Sequence, residues 1–215
     1  LGSVAVGYST LGALTSGIGN VAIGSGSLAA NATSDFNVAV GTNALSKLTK
    51  DGTGSNTAVG YQAGMAITTG HTNQLFGRGA GSSLTTASGS TFIGNEAGAS
   101  VTTGNHNIGI GHDAINGGTT TGDNNIAIGT KAGDAITSGR WNIYMGQNAG
   151  GATTTGDYNI GIGRSALLTL TTGELNTVMG LDAGRLATTA SGSTFIGYDA
   201  GGTVTTGNRN IAVGY

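Results

Sequence analysis

Apolar and polar positions follow one short phrase that returns along the whole chain. VAVG, VAIG, TAVG, TFIG, IGIG, IAIG and TVMG are versions of it, each closed by a glycine. The closing glycines are Gly7, Gly24, Gly41, Gly60, Gly77, Gly94, Gly111, Gly129, Gly146, Gly163, Gly180, Gly197 and Gly214. Ten of the twelve intervals are 17 residues, and the other two are 19 and 18. The longer intervals carry polar, turn-like stretches at 49–56 and 115–122, where insertions cost little. The residue before each glycine is apolar, and the residue two further back is Val, Ile or Thr except at Gln74. A period of two with β-branched enrichment predicts a short strand with one buried face.

Four residues before the glycine stands Asn in ten copies and Ser in three, Ser3, Ser90 and Ser193. Three residues after it stands Ala in ten of twelve copies, and seven after it a second apolar file appears, including Leu48, Ile67, Leu84, Val101, Ile136 and Leu170. Thr-Thr-Gly and two variable residues complete the unit. Seventeen residues hold two short strands and two turns but no useful helix, and no single copy can bury its own apolar files. The copies must therefore stack, which predicts an all-β fold: a parallel β-solenoid (β-roll or β-helix) of about 13 coils, one repeat segment spanning 1–215. Stacking turns the Asn file into a ladder of side-chain amides. Glycine at every closing slot implies positive φ or no room for a Cβ.

Strand alternation sets the residue between the two β-branched positions on the opposite face. With the Val and Ile files placed inward, the outward file reads Ala22, Ala39, Ala58, Leu75, Phe92, Gly109, Ala127, Tyr144, Gly161, Val178 and Phe195, without a charge. An apolar strip of that length predicts a chain–chain interface. The alternative is that this file packs within its own chain.

Composition narrows the function classes. Glycine fills 43 of 215 positions with no proline, no cysteine and 8% charged residues, which excludes collagen, a disulfide framework and a thiol nucleophile. Eight Lys+Arg against ten Asp+Glu leave no basic stripe for nucleic acid, and no apolar run is long enough to span a membrane. The chain opens at Leu1 without Met or signal peptide, so a piece of a longer protein is expected. No nucleophile, base and orienting group share a slot; catalytic, metal and cofactor sites are all expected to be absent, and His71, His106 and His112 are expected on the surface. The variable slots hold Arg140, Trp141, Tyr158 and Arg209, residue types that dominate recognition hot spots, so they are the candidates for contact with a host-surface glycan or protein receptor.

The phrases SVAVG, NVAIG and NTAVGYQAG resemble the head repeats of YadA-type trimeric autotransporter adhesins. They are closer still to repeats of long bacteriophage tail fibres. That resemblance implies a left-handed parallel β-roll in a side-by-side trimer, with Val21 and Ile23 in the core and Ala22 toward the three-fold axis. It also implies a non-enzymatic, extracellular, structural and adhesive fibre segment, on a virion or a cell surface. Two other readings stand beside it: a self-assembling extracellular filament, and an ice-binding solenoid presenting its Thr-Thr files.

Overall fold

The computed structural model describes residues 2–215 and contains only β-strands, turns and bends. By packing it divides into two compact units, one ending at Asn107 and one running Ile108–Tyr215. The same turn builds both.

In the first unit, β1 (Val4–Val6), β2 (Val21–Ile23), β4 (Val38–Val40), β6 (Thr57–Val59), β7 (Gln74–Phe76) and β8 (Thr91–Ile93) form a parallel sheet, one strand per turn. The 19-residue interval adds a side pair, β3 (Ser34–Asp35) against β5 (Gly52–Thr53). In the second unit, β9 (Ile108–Ile110), β10 (Ile126–Ile128), β11 (Ile143–Met145), β12 (Ile160–Ile162), β13 (Thr177–Met179), β14 (Thr194–Ile196) and β15 (Ile211–Val213) do the same. Like residues pair throughout, as in Val38↔Thr57 and Tyr144↔Gly161. The β-solenoid is therefore present, with about 12 turns and a repeat of about 17 residues.

Among the described residues, the second strand expected in each repeat is absent apart from β3 and β5. The rest of the turn instead kinks through left-handed backbone, as at Gln62, Gly64 and Thr72 in one turn. It still donates from turn to turn, for example Thr68 N–H to the Thr85 carbonyl at 3.0 Å. The closing glycine meets both requirements expected of it. Gly60 has φ +140°, and a Cβ there would overlap the carbonyl oxygen of Gly77 on the next turn.

The Asn file is buried from Asn20 to Asn176, and the half-buried Asn210 of the last turn leaves its Nδ2 without a partner among the described residues. Asn142 Nδ2 donates to Asn125 Oδ1 at 3.0 Å and to the Gly156 carbonyl at 2.8 Å. Its own Oδ1 accepts from the Asn159 backbone N–H at 2.9 Å and from Asn159 Nδ2 at 3.1 Å. Where Ser90 or Ser193 replaces Asn, the hydroxyl still accepts the next backbone N–H at 3.2 Å.

The structure reverses the two faces of the strand. Ala22, Ala39, Ala58, Leu75, Phe92, Gly109, Ala127, Tyr144, Gly161, Val178 and Phe195 all point into their own chain and are buried. They are core and cannot form the trimer interface expected of them. The flanking residues expected inside are outward: Ile23, Ile93 and Ile196 are 39–41% exposed, and Val21, Ile108 and Ile110 are half-buried. Alternation fixes only that the two sets oppose each other. The partner across the coil decides which set is inside, and it lies four residues after the closing glycine.

That slot and the strand's central residue share one volume. Leu28, Leu45, Ile115 and Leu167 share a turn with Ala22, Ala39, Gly109 and Gly161, whereas Gly81, Gly98, Gly150, Gly184 and Gly201 share one with Leu75, Phe92, Tyr144, Val178 and Phe195. In the turns of Ala58–Gly64 and Ala127–Gly133 both are small, and neighbouring turns fill the room, Leu45 and Leu75 beside Gly64 and Tyr144 beside Gly133. A Cβ on Gly150 would lie 2.5 Å from the Tyr144 ring, and one on Gly98 2.5 Å from the Phe92 ring. The small Ala and Gly of the strand file thus reflect a shared core volume and not a close approach of chains.

Candidate functional site

The slot five residues before the closing glycine supplies the outward side chains of one corner. In the second unit it reads Asn124, Trp141, Tyr158, Leu175, Gly192 and Arg209, one per turn, each in left-handed backbone with φ between 54° and 66°. The chain reverses here before entering the Asn ladder, so the side chain is thrown outward. From Trp141 onward each residue is pinned by its own N–H: Tyr158 donates to the Arg140 carbonyl at 3.0 Å, Leu175 to Asp157 at 3.1 Å, and Arg209 to Ser191 at 2.9 Å.

Of the four residues expected to carry recognition, the structure brings Trp141 and Tyr158 into contact. Their rings stack with centroids 4.9 Å apart and planes within 6°. One face of each ring is covered by the other, and both side chains remain exposed. Arg209 lies in the same file, three turns beyond Tyr158, or about 14 Å at the spacing of paired strands. Arg140 lies in the neighbouring file. Arg78, Arg164 and Arg185 have carboxylate partners in Glu96, Asp182 and Asp199, whereas among the described residues neither Arg140 nor Arg209 enters an ion pair.

Two features of this corner escaped the sequence reading. The first is an outer ladder in the slot before the file, where a side-chain oxygen accepts the previous turn's N–H. Asp157 takes that of Arg140 at 2.7 Å, Ser191 that of Glu174 at 3.0 Å, and Asn208 that of Ser191 at 2.9 Å. Enrichment of Asp, Ser and Asn in that slot was its available signal. The second is an open hollow of about 530 Å³ lined by Leu175, Ser191, Gly192, Asn208 and Arg209. It exists because Gly192 interrupts the file of side chains.

The paired threonines divide their roles. Thr68, Thr85, Thr137, Thr154 and Thr171 are half-buried and donate their hydroxyls to the next turn's carbonyl at 3.0–3.3 Å. In these turns only the second member, such as Thr69 or Thr155, is exposed, whereas both Thr205 and Thr206 of the last turn are. A single file of hydroxyls faces water, not a two-file plane.

No protein-family model, curated protein or solved structure matches the chain. Among the described residues, no helix is long and apolar enough to cross a membrane, and no group of three or more His, Cys, Asp or Glu is placed to hold a metal.

Proposed function

We propose that the chain is a structural and adhesive segment of an extracellular fibre, on a phage tail or a cell surface, that works without catalysis and assembles as a homotrimer. The observation that carries this reading is the outward face of the sheet. In the second unit it consists of Ile108, Ile126, Ile143, Ile160, Thr177, Thr194 and Ile211 in one file and Ile110, Ile128, Met145, Ile162, Met179, Ile196 and Val213 in the other. The first unit repeats the pattern with Val, Thr, Gln, Ile and Phe, and neither holds a charge. Large aliphatic side chains kept half in water at every turn favour burial against another chain. The interface assigned here is therefore the Ile and Val files, in place of the buried Ala file. Asn ladders and turn-to-turn hydrogen bonds within each unit suit a load-bearing spacer, and the outward corner files suit contact with a surface.

Sedimentation equilibrium of the 20.8 kDa chain tests the assembly. A species of about three chain masses, reduced to one by Ile143→Lys with Ile160→Lys while the far-ultraviolet spectrum persists, is the expected result. A monomeric wild-type chain overturns it. Growth without limit as concentration rises replaces the closed trimer with a filament.

A further inference from the structure

We propose that the hollow at Gly192 is a subsite for one carboxylate-bearing sugar residue, a uronide, presented by a surface polysaccharide. The inference rests on the adhesive part of the functional reading and not on the trimer. Leu175 and Arg209 stand two turns apart in one outward file, about 10 Å at the spacing of paired strands. Between them Gly192 leaves out a side chain, which opens a slot of the order of a single pyranose ring. One wall is apolar, since Leu175 is 62% exposed and suits the C–H face of a sugar. The other wall is the stem of Arg209, whose Cγ lies 3.5 Å from where a Cβ on Gly192 would stand.

Charge and hydrogen bonding narrow the occupant further. The Arg209 guanidinium has no carboxylate partner of its own among the described residues, so its paired donors are available to a ligand carboxylate. Glu174 precedes Leu175 in the adjoining file and adds a negative charge beside the slot, which disfavours a dianion such as a phosphate. Asn208 uses Oδ1 to accept the Ser191 N–H at 2.9 Å, leaving its Nδ2 to donate to a sugar hydroxyl. An open, half-polar cleft with one apolar wall fits a saccharide better than a drug-like apolar ligand, which asks for enclosure. The file continues past Leu175 to Tyr158 and Trp141, so a longer oligosaccharide lies along it.

The test is calorimetric titration of the whole chain with an oligosaccharide of glucuronic acid, beside the neutral gluco-oligosaccharide of equal length and glucose 6-phosphate. Emission of Trp141, the one tryptophan, is followed in parallel. The uronide is expected to bind at least about tenfold more tightly than either comparison ligand, as one charge-assisted pair implies. Arg209→Gln should remove that preference. Gly192→Leu should fill the slot and abolish binding, and it is tolerable because Leu175 holds the same slot at φ 59°. Equal binding of acidic and neutral sugars, indifference to Gly192→Leu, or no uronide heat up to about 10 mM overturns the subsite. Sedimentation of the same samples separates the two readings: a trimer that ignores uronides sinks only the subsite, and a monomer that binds them sinks only the assembly.

Discussion

Tyr144 gives the sharpest test of the shared core volume. Its ring fills room belonging to three turns: it occupies the space of Gly150 in its own, lies 3.0 Å from a Cβ built on Gly161 in the next, and 3.3 Å from one on Gly133 in the previous turn. Its hydroxyl hydrogen-bonds Thr153 Oγ1 at 2.9 Å, and burial raises the phenol's pKa well above the ordinary 10.0, so it remains a neutral donor. Phe92 and Phe195 hold the same slot, so Tyr144→Phe removes the hydroxyl without altering the packing and should cost about 1–2 kcal/mol. Tyr144→Ala should cost about 3–5 kcal/mol, as for other buried aromatics.

Gly150→Leu should then change sign with its background. Beside the intact ring it is overpacked and left-handed, at about 2–5 kcal/mol. In the Tyr144→Ala background it recreates the Ala39–Leu45 pairing, and burial of about 1.5–3 kcal/mol offsets the backbone strain. The double-mutant cycle should show a favourable coupling of at least about 2 kcal/mol. Long repeat arrays unfold without a single cooperative step, so a local probe is needed. Trp141, three residues from the Tyr144 substitution, supplies it during urea titration. Additivity of Tyr144→Ala and Gly150→Leu within about 0.5 kcal/mol would falsify the shared-volume account.

Two further outcomes follow from the ladder and from one carboxyl group. Asn142→Ala strands the Gly156 carbonyl and the Asn159 N–H and removes one of the two donors to Asn125 Oδ1, the residue-142 backbone N–H remaining, and should cost about 3 kcal/mol or more; Asn142→Ser, which keeps an acceptor as at Ser90, should cost clearly less, and hydrogen exchange at the Asn159 amide reads the difference. Desolvation raises the pKa of Asp134 above its ordinary 3.8, with Asp113 adding to the rise and Lys131 and the Asn116 backbone opposing it. The folded state therefore favours the protonated acid. That contribution is complete below pH 3.8 and is lost as pH climbs through the raised value, so Asp134→Asn should remove this decline and make the slope of stability against pH just above 3.8 more positive than in the wild type. An unchanged slope in the variant refutes this assignment.

Much of this fold is legible because the turn is copied. The Asn file announces its ladder by occupying one slot in ten of thirteen copies of the phrase, and the closing glycines announce stacked backbone in the same way. The inside of the strand was not legible from alternation, because IGI and VAI obey it equally with either face buried. What decides is a correlation between slots six residues apart: Tyr144 with Gly150, Gly161 with Leu167, Phe195 with Gly201. Reading each file alone, by its average character, hides that correlation.

The candidate site was partly legible for a related reason. Trp141 and Tyr158 fall one repeat apart, so a 17-residue period already places them side by side. The Gly192 hollow is a gap in a file, and it matters only once that file is known to face outward at every turn. A regular frame makes such departures informative. In a solenoid whose turns are held by the same ladders, a change in one outward slot alters the surface without altering the frame. The stretch from Leu175 to Arg209, apolar, then vacant, then cationic, is therefore where the second unit differs chemically from its own pattern. Binding specificity can be sought there independently of how the chains assemble.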